Sequence, residues 1–432
     1  MICFCFLLVF SKIACTFVSM FTVFFLLVLF VLDGVGVLGI WFAYRRQART
    51  KRGFVWGHIC VSLLLLAVLV LYRATLSKNY INLATRHTVA LSIVWIYISK
   101  ILTIIAYSLS FGVGKAFSIL RKHTPQDEKL TTEETMNRAQ FLERISLATG
   151  TISFGVGFWG TNNTLYDYQL KQVPLKISHL PKAFHGLRIA QISDIHVGSL
   201  TNTLAVKGGL EMLLREKPDV ICFTGDLVNY EAYEIIRFEH LFSTLKAPLG
   251  VFSCLGNHDY GDYTTWANPQ AKAHNMQQLI HAHKKLGWHL LIDSHTYIEA
   301  SGEKIAMLGV GNWSKIRKFP RYGKLAKAFE NIDKEVTTQI LLSHDPSHWD
   351  AEIRPQTPSI YLTLSGHTHG MQMGIEWGNI KISPAQFVFE QWAGLYQKEN
   401  QYLYVNRGFG YTDGFPMRLG ILPEITIFTL QA

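Results

Sequence analysis

The chain has 432 residues, of which 49% are hydrophobic and 17% charged, too apolar for a disordered or fibrous protein. Six cysteines without a CxxC pair exclude a disulfide scaffold and a cysteine-type zinc site. The net charge of +10 lies entirely in the first 150 residues, which hold 16 Lys and Arg against 6 Asp and Glu; the rest holds 25 of each sign. A nucleic-acid binder carries its positive charge on the domain that grips phosphates, so no nucleic-acid partner is expected.

In chain order, the first third reads as a membrane region. Phe17–Tyr44, Phe54–Tyr72 and Thr88–Val113 are apolar runs, each long enough to cross roughly 30 Å of hydrocarbon as a helix. Ile145–Trp159 is a shorter, Gly- and Thr-rich candidate for a fourth span, and Met20 an alternative start. The loops at 45–52 and 114–144 are strongly basic and the loop at 73–87 weakly so, which places the first and third in the cytoplasm. The expectation is therefore an integral, multi-pass protein of the inner or plasma membrane, its C-terminal domain on the outer face. Asp33 and Lys100 both fall near mid-depth in these runs and are candidates for an intramembrane ion pair. Residues 1–160 form the expected transmembrane region, 161–181 a linker, and 182–432 a folded domain.

That last segment alternates strands with helices. Strands are expected at Leu187–Ser193, Val220–Thr224, Gly250–Leu255, Ile305–Val310, Gln339–Ser343, Ile360–Leu364, Leu403–Asn406 and Ile425–Leu430. Helical periodicity covers Thr203–Lys217, Tyr230–Leu245 and about Gln270–Leu286. This rhythm implies an α/β fold with a largely parallel sheet.

The chemistry sits at the strand ends. They read Ser193-Asp194-Ile195-His196, Gly225-Asp226, Gly256-Asn257-His258-Asp259, Ser343-His344-Asp345 and Gly366-His367-Thr368-His369-Gly370. Each delivers Asp, Asn or His to one edge of a sheet, where open α/β folds bind ligands. Any one motif is an ordinary turn; five in order, each after a strand, are not. Asp, Asn and His without Cys suit hard and borderline divalent ions such as Mn, Fe, Zn, Ni or Co. The set is too large for one tetrahedral zinc and suits two ions roughly 3.5–4 Å apart, with Asp226 on the middle strand as the natural bridge. Such a pair clamps a phosphoryl oxygen and activates water, which points to phosphate-ester or pyrophosphate hydrolysis.

From Leu187 onward this pattern resembles the calcineurin-like metallophosphoesterase superfamily. With the apolar N-terminal third, the whole chain looks like the group called transmembrane proteins with a metallophosphoesterase domain. The resemblance implies an N-terminal transmembrane region followed by a four-layer α/β/β/α sandwich. It implies two divalent ions, Mn serving in vitro, with Asp194, His196 and His369 on the first, Asn257, His344 and His367 on the second, and Asp226 between them. It further implies that a metal-bridging hydroxide attacks, that His258 protonates the leaving oxygen, and that Asp259 orients His258 by accepting from its ring N–H. Relatives often carry a second Asp where this chain has Asn229.

A membrane tether suits an amphiphilic substrate, so membrane lipids and a lipid-linked phosphoester or pyrophosphate are the expected partners, as for UDP-diacylglucosamine pyrophosphatases. The alternatives are a phosphodiesterase for soluble substrates that is merely anchored, and a membrane sensor with a vestigial metal site. Trp313, Trp377, Trp392, Phe409 and Tyr411 are candidates for a substrate groove, and Arg407 and Arg418 for phosphate contacts. His274, His281 and His283 read as a solvated helix face; Cys222 and Cys254 read as buried small hydrophobes.

Overall fold

Alternation along short apolar strands builds a three-part core. In the computed structural model, which describes residues 132–432 except 379, 414 and 415, together with 56, 60, 92–93, 95–106 and 109, two six-stranded sheets face one another. The first sheet contains β1 (Gln169–Lys176), β2 (Arg188–Ile192), β3 (Val220–Phe223), β4 (Val251–Ser253), β5 (His289–Leu290) and β14 (Glu424–Gln431), in the order β1-β14-β2-β3-β4-β5. The second contains β6 (Ser294–Ala300), β7 (Glu303–Gly309), β8 (Gln339–Leu342), β9 (Ile360–Ser365), β12 (Gly394–Lys398) and β13 (Gln401–Val405), in the order β12-β13-β9-β8-β7-β6. A separate antiparallel hairpin pairs β10 (Ile375–Trp377) with β11 (Ile380–Ile382).

Side chains of a strand alternate between its faces, so each sheet serves two cores. On β3, Val220 and Cys222 enter the core between the sheets, while Ile221 and Phe223 face the helical layer. On β8, Ile340 and Leu342 meet them from the other side, and Leu341 packs outward with Trp349 and Ile353. The result is a mixed α/β sandwich with helical segments outside both sheets. β2, β3, β4 and β5 run parallel, as do β7, β8, β9 and β13, but β14, β6 and β12 each pair antiparallel with a neighbour. The sheets are thus mixed rather than largely parallel.

The expected helix at Thr203–Lys217 spans Thr203–Arg215 and is capped by the Asn202 side chain, which accepts from the Ala205 amide. Pro269–Leu286 starts on Asn268 and ends at Gly287, whose φ of 78° favours glycine. Tyr230–Leu245 is not one helix. A 3₁₀ segment (Ala232–Arg237) and one turn of α-helix (Glu239–Phe242) replace it, and the Glu234 carboxylate caps the first by accepting from the amides of Asn229, Tyr230 and Glu231.

The expected linker 161–181 is folded. It holds β1, an edge strand in parallel register with β14, and Pro174 is tolerated there because an edge position needs only one side of the ladder.

Two compact units divide the chain, residues 1–159 and 160–432. Of the expected spans, Phe17–Tyr44 lies outside the described residues, as do most of Phe54–Tyr72 and part of Thr88–Val113. Asp33 of the expected ion pair lies there too; Lys100 is buried, its amine 5.4 Å from the Tyr97 ring centre. Ile145–Trp159 is helical within Thr132–Asn162. Among the described residues no helix is long and apolar enough to cross a membrane.

Candidate metal centre

The strand ends converge as the spacing predicts, and they do so on strained backbone. Asp194, His196, Asp226, His367 and His369 have φ of 51°, 48°, 59°, 69° and 49°. Left-handed conformations of non-glycine residues cost on the order of 1–3 kcal/mol each and persist only where the surroundings over-determine them. Here neighbouring loops fix one another. The Asp194 amide donates to Gly225 O at 2.9 Å, His196 N to Asp226 O at 3.1 Å, and Gly366 N to His344 O at 2.9 Å. The approach is too close for side chains. A Cβ on Gly225 would lie 2.5 Å from Gly256 N, and one on Gly366 2.0 Å from Ser193 Oγ.

Six buried side chains form two groups. Asp194, His196 and His369 offer ligand atoms all within 4.8 Å of one another, and so do Asp226, His344 and His367. Asp226 connects the groups: its Oδ2 lies 3.1 Å from His344 Nε2 and 3.7 Å from His196 Nε2. Asp194 Oδ1 stands 3.2 Å from His369 Nε2 and 4.0 Å from His344 Nε2. Asn257 completes the expected set; its Nδ2 donates to Tyr263 Oη at 2.9 Å, while its Oδ1 is buried without a hydrogen-bond partner.

The electrostatics call for a cation. Burial favours neutral carboxyl groups, yet the His369 and His344 imidazoles hold Asp194 well below the carboxylate range, and His344 and His258 do the same for Asp226. Burial likewise disfavours a charged His344, but Asp226 and Asp194 push it up to about 10. His196 moves the other way, to about 3, through burial and the neighbouring His258. Two ionised carboxylates in a buried site thus demand positive charge, which a proton on His344 meets and a divalent ion would meet in its place. Asn257 Oδ1, His344 Nε2 and His367 Nε2 are buried without hydrogen-bond partners. Unpaired buried donors and acceptors of this kind are costly, and a hard or borderline ion satisfies them.

The structure corrects the role expected of Asp259. Its carboxylate accepts from the amides of Asp226 (2.9 Å), Leu227 (2.9 Å) and Gly256 (2.8 Å), fastening the turn that carries Asp226. The His258 ring is oriented instead by the main chain: Nδ1 donates to Asn229 O at 2.8 Å. A carbonyl only accepts, so the proton sits on Nδ1. The sequence places His258 and Asp259 side by side, but the 3₁₀ turn His258–Tyr260 sends their side chains apart. Burial and then Asp226 push Asp259 up to about 7, against the pull of the Gly256 and Leu227 amides.

Residues 187–371 match the profile of the calcineurin-like phosphoesterase family. The uncharacterized metallophosphoesterase YkuE of Bacillus subtilis is 31% identical over 313 residues, which cover 69% of this chain and 98% of that protein. The chain belongs to the calcineurin-like phosphoesterase family. It is a hydrolase acting on phosphoester bonds. A transmembrane protein with metallophosphoesterase domain from Danio rerio is 28% identical over 308 residues, covering 70% of this chain and 65% of that one. The UDP-2,3-diacylglucosamine pyrophosphatase LpxG of Chlamydia trachomatis is 28% identical over 283 residues, 55% of this chain and 81% of its own length.

The centre of this metallophosphoesterase opens into a cleft of about 470 Å³. His196, Asp226, Asn257, His258, His367 and His369 line it together with Phe319, Met371, Met373, Pro384 and Phe389. Phe319 and Phe389 both meet the His367 ring edge-on, at 4.5 and 5.5 Å between ring centres. None of the aromatics expected in a groove lines this cleft. Trp313, Trp392, Phe409 and Tyr411 are buried in packing, and Trp377 is exposed on the hairpin. The two arginines expected to contact phosphate are also committed elsewhere. Arg407 pairs with Glu424 and, at 3.1 Å, with Glu376. Arg418 is fully buried and donates to the carbonyls of Arg407, Gly408, Gly410 and Ile421, bracing the segment behind His369.

Asp345 and Tyr263 contribute without having been singled out. Asp345 Oδ2 lies 3.4 Å from His367 Nε2, and Tyr263 packs on His258 at 4.4 Å while accepting from Asn257. The His344-Asp345 pair in the sequence held the only signal for Asp345, and nothing in the spacing marked Tyr263.

Proposed function

We propose that this hydrolase is a membrane-anchored, two-ion phosphodiesterase or pyrophosphatase acting on an amphiphilic, lipid-linked substrate. Asp194, His196 and His369 would hold one ion, and Asn257, His344 and His367 the other, with Asp226 shared. Bound ions supply Lewis acidity toward phosphoryl oxygens and lower the pKa of water. The chain's own contribution is positional. His258, its Nδ1 proton held by Asn229 O, has Nε2 as the remaining ring nitrogen to handle the leaving oxygen's proton. Asp259 keeps the Asp226 turn in its left-handed conformation.

One observation carries the substrate class: beside the polar side chains, the cleft is lined by the apolar Phe319, Met371, Met373, Pro384 and Phe389. A purely ionic substrate gains nothing from such a wall. The names of the Danio rerio and Chlamydia trachomatis relatives, one transmembrane and one acting on a diacylated nucleotide sugar, support the same reading. The apolar runs at Phe17–Tyr44, Phe54–Tyr72 and Thr88–Val113 would supply the anchor.

The test compares kcat/KM of the Mn-loaded full chain for a diacylated pyrophosphate and for its deacylated counterpart. Burying two methylenes against the wall is worth roughly 1.6 kcal/mol, or about 15-fold. Equal values for the two substrates would refute the lipid-linked reading and favour the merely anchored phosphodiesterase.

A further inference from the structure

The β10–β11 hairpin is built inside out. Cross-strand pairs run Ile375 with Ile382, Glu376 with Lys381, and Trp377 with Ile380. In a hairpin that lies on a domain in water, the apolar face packs down and the charged face meets solvent. Here Glu376 turns inward, to Arg407 at 3.1 Å and Lys171 at 3.6 Å, and Lys381, its cross-strand partner, shares that face. Ile375, Trp377, Ile380 and Ile382 face outward, Trp377 with 80% of its surface exposed. A one-residue register slip would bury this apolar set, yet the inward ion pairs lock the opposite register.

The exposed surface continues beyond the hairpin. The next turn, Pro384–Phe387, exposes Phe387 to 83%, and Val388 follows it outward. Met373 and Pro384, at either end of the hairpin, line the cleft. The loop 314–324 supplies Phe319 to the same wall and packs Ile316 and Phe319 against the cluster that holds Phe389 and Trp392. That loop holds five basic residues and no acidic one, and Lys315, Arg317, Lys318, Arg321 and Lys324 are all exposed, Lys315 lying 3.7 Å from Glu390. An outward apolar hairpin beside a basic loop, both bordering one cleft, is the chemistry of an interface that enters the boundary of an anionic bilayer.

We infer that the hairpin face of Ile375, Trp377, Ile380 and Ile382, with Phe387, seats in an anionic lipid bilayer while the 314–324 loop contacts its headgroups. Docking puts the cleft mouth at the membrane surface, where a substrate's acyl portion passes directly onto the wall. The link to substrate rests on the proposed lipid-linked reading; the docking itself does not.

The test places p-benzoylphenylalanine at Trp377 of the full chain, reconstituted in vesicles of phosphatidylcholine alone or mixed with phosphatidylglycerol. Irradiation is expected to attach phospholipid at position 377, while the same group at Leu204, also exposed, takes up none. The mixed vesicles should give more adduct, by about fivefold for each basic side chain that reaches the surface. The combined variant Lys315→Ala, Arg317→Ala, Lys318→Ala should lose that difference. A cross-linked dimer of the chain in place of lipid adduct, or no adduct above the Leu204 control, would overturn the inference. Hydrolysis of a soluble diester by the same samples reports on the phosphoesterase centre separately, so an inactive but lipid-linked sample would count against the proposed function alone.

Discussion

The carboxylate of Asp259 accepts from the amide of Asp226 at 2.9 Å, while the ring of its neighbour His258 donates to the Asn229 carbonyl at 2.8 Å. Asp259 is therefore a clamp on the Asp226 turn, and its removal should act on the fold first. Asp259→Ala leaves the buried amides of Asp226, Leu227 and Gly256 unpaired and removes the longer bond from Val228 at 3.4 Å; at about 1–3 kcal/mol for each of the first three, at least about 3 kcal/mol of stability should go. In a unit of this size that lowers Tm by roughly 6–12 °C. Metal content should fall with it, because Asp226 loses its left-handed support. A variant with wild-type Tm and full metal content but slow turnover would instead return Asp259 to orienting His258.

His258→Ala should behave in the opposite way. The ring is partly exposed in the cleft and belongs to neither ligand group. Metal content and Tm should stay near wild type, and kcat should fall by roughly 100- to 10,000-fold, the usual range for losing a general acid. Substrates with weakly basic leaving groups should recover most of the loss, since their departure needs no proton. Loss of metal in this variant would show that His258 is a ligand.

Asp226→Asn probes the junction of the two groups. Asparagine tolerates left-handed backbone at least as readily as aspartate, so the turn should survive. The charge that His344 and His196 face is removed, and metal affinity should drop by more than the roughly 10- to 100-fold typical of outer partners. Chelation of the wild type gives the complementary measurement. An ion present at about 100 times its Kd stabilises the folded state by about 2.7 kcal/mol. Its removal should lower Tm by roughly 5–10 °C. A Tm indifferent to both chelator and added Mn would argue that these side chains hold no ion.

Much of this centre is legible in the sequence because parallel strands buried on both faces read as apolar runs, and the residues just after them must lie at the sheet edge. Val220–Phe223 and Gln339–Leu342 are wholly buried, and Asp226 and His344 come within a few residues of their ends. β1 is not legible, since QLKQVPLK carries polar residues and a proline, and its partner β14 lies more than 250 residues away. The apolar face of Tyr230–Leu245 is real, with Ile235, Phe238, Leu241 and Phe242 buried, but periodicity records which side chains face the core and not whether the backbone stays one continuous helix, and here it divides at Phe238. The cleft wall escapes for a similar reason. Phe319, Met371, Met373 and Phe389 come from irregular segments, where no period distinguishes a residue turned toward a site from one packed away from it.

His283 illustrates the same limit and carries a pH dependence. It shares a helix with exposed His274 and His281, but it is fully buried, its Nδ1 3.0 Å from Ser253 Oγ and its ring edge-on to Trp288. Burial pushes it down to about 3. An unfolded chain binds this proton near pH 6.5, about 3.5 units higher, so the unfolded state carries more protons throughout that interval. The folded state is therefore at no disadvantage above about pH 6.5 and loses stability as pH falls from there toward 3, by at most about 1.4 kcal/mol per pH unit. His283→Gln removes the titration while retaining a polar group for Ser253. Urea unfolding of wild type and variant at about pH 7 and about pH 5 should show a smaller acid-side loss in the variant, the difference approaching about 2 kcal/mol. Parallel losses in the two proteins would mean that His283 takes up its proton within the fold, and that the acid sensitivity arises at the metal centre.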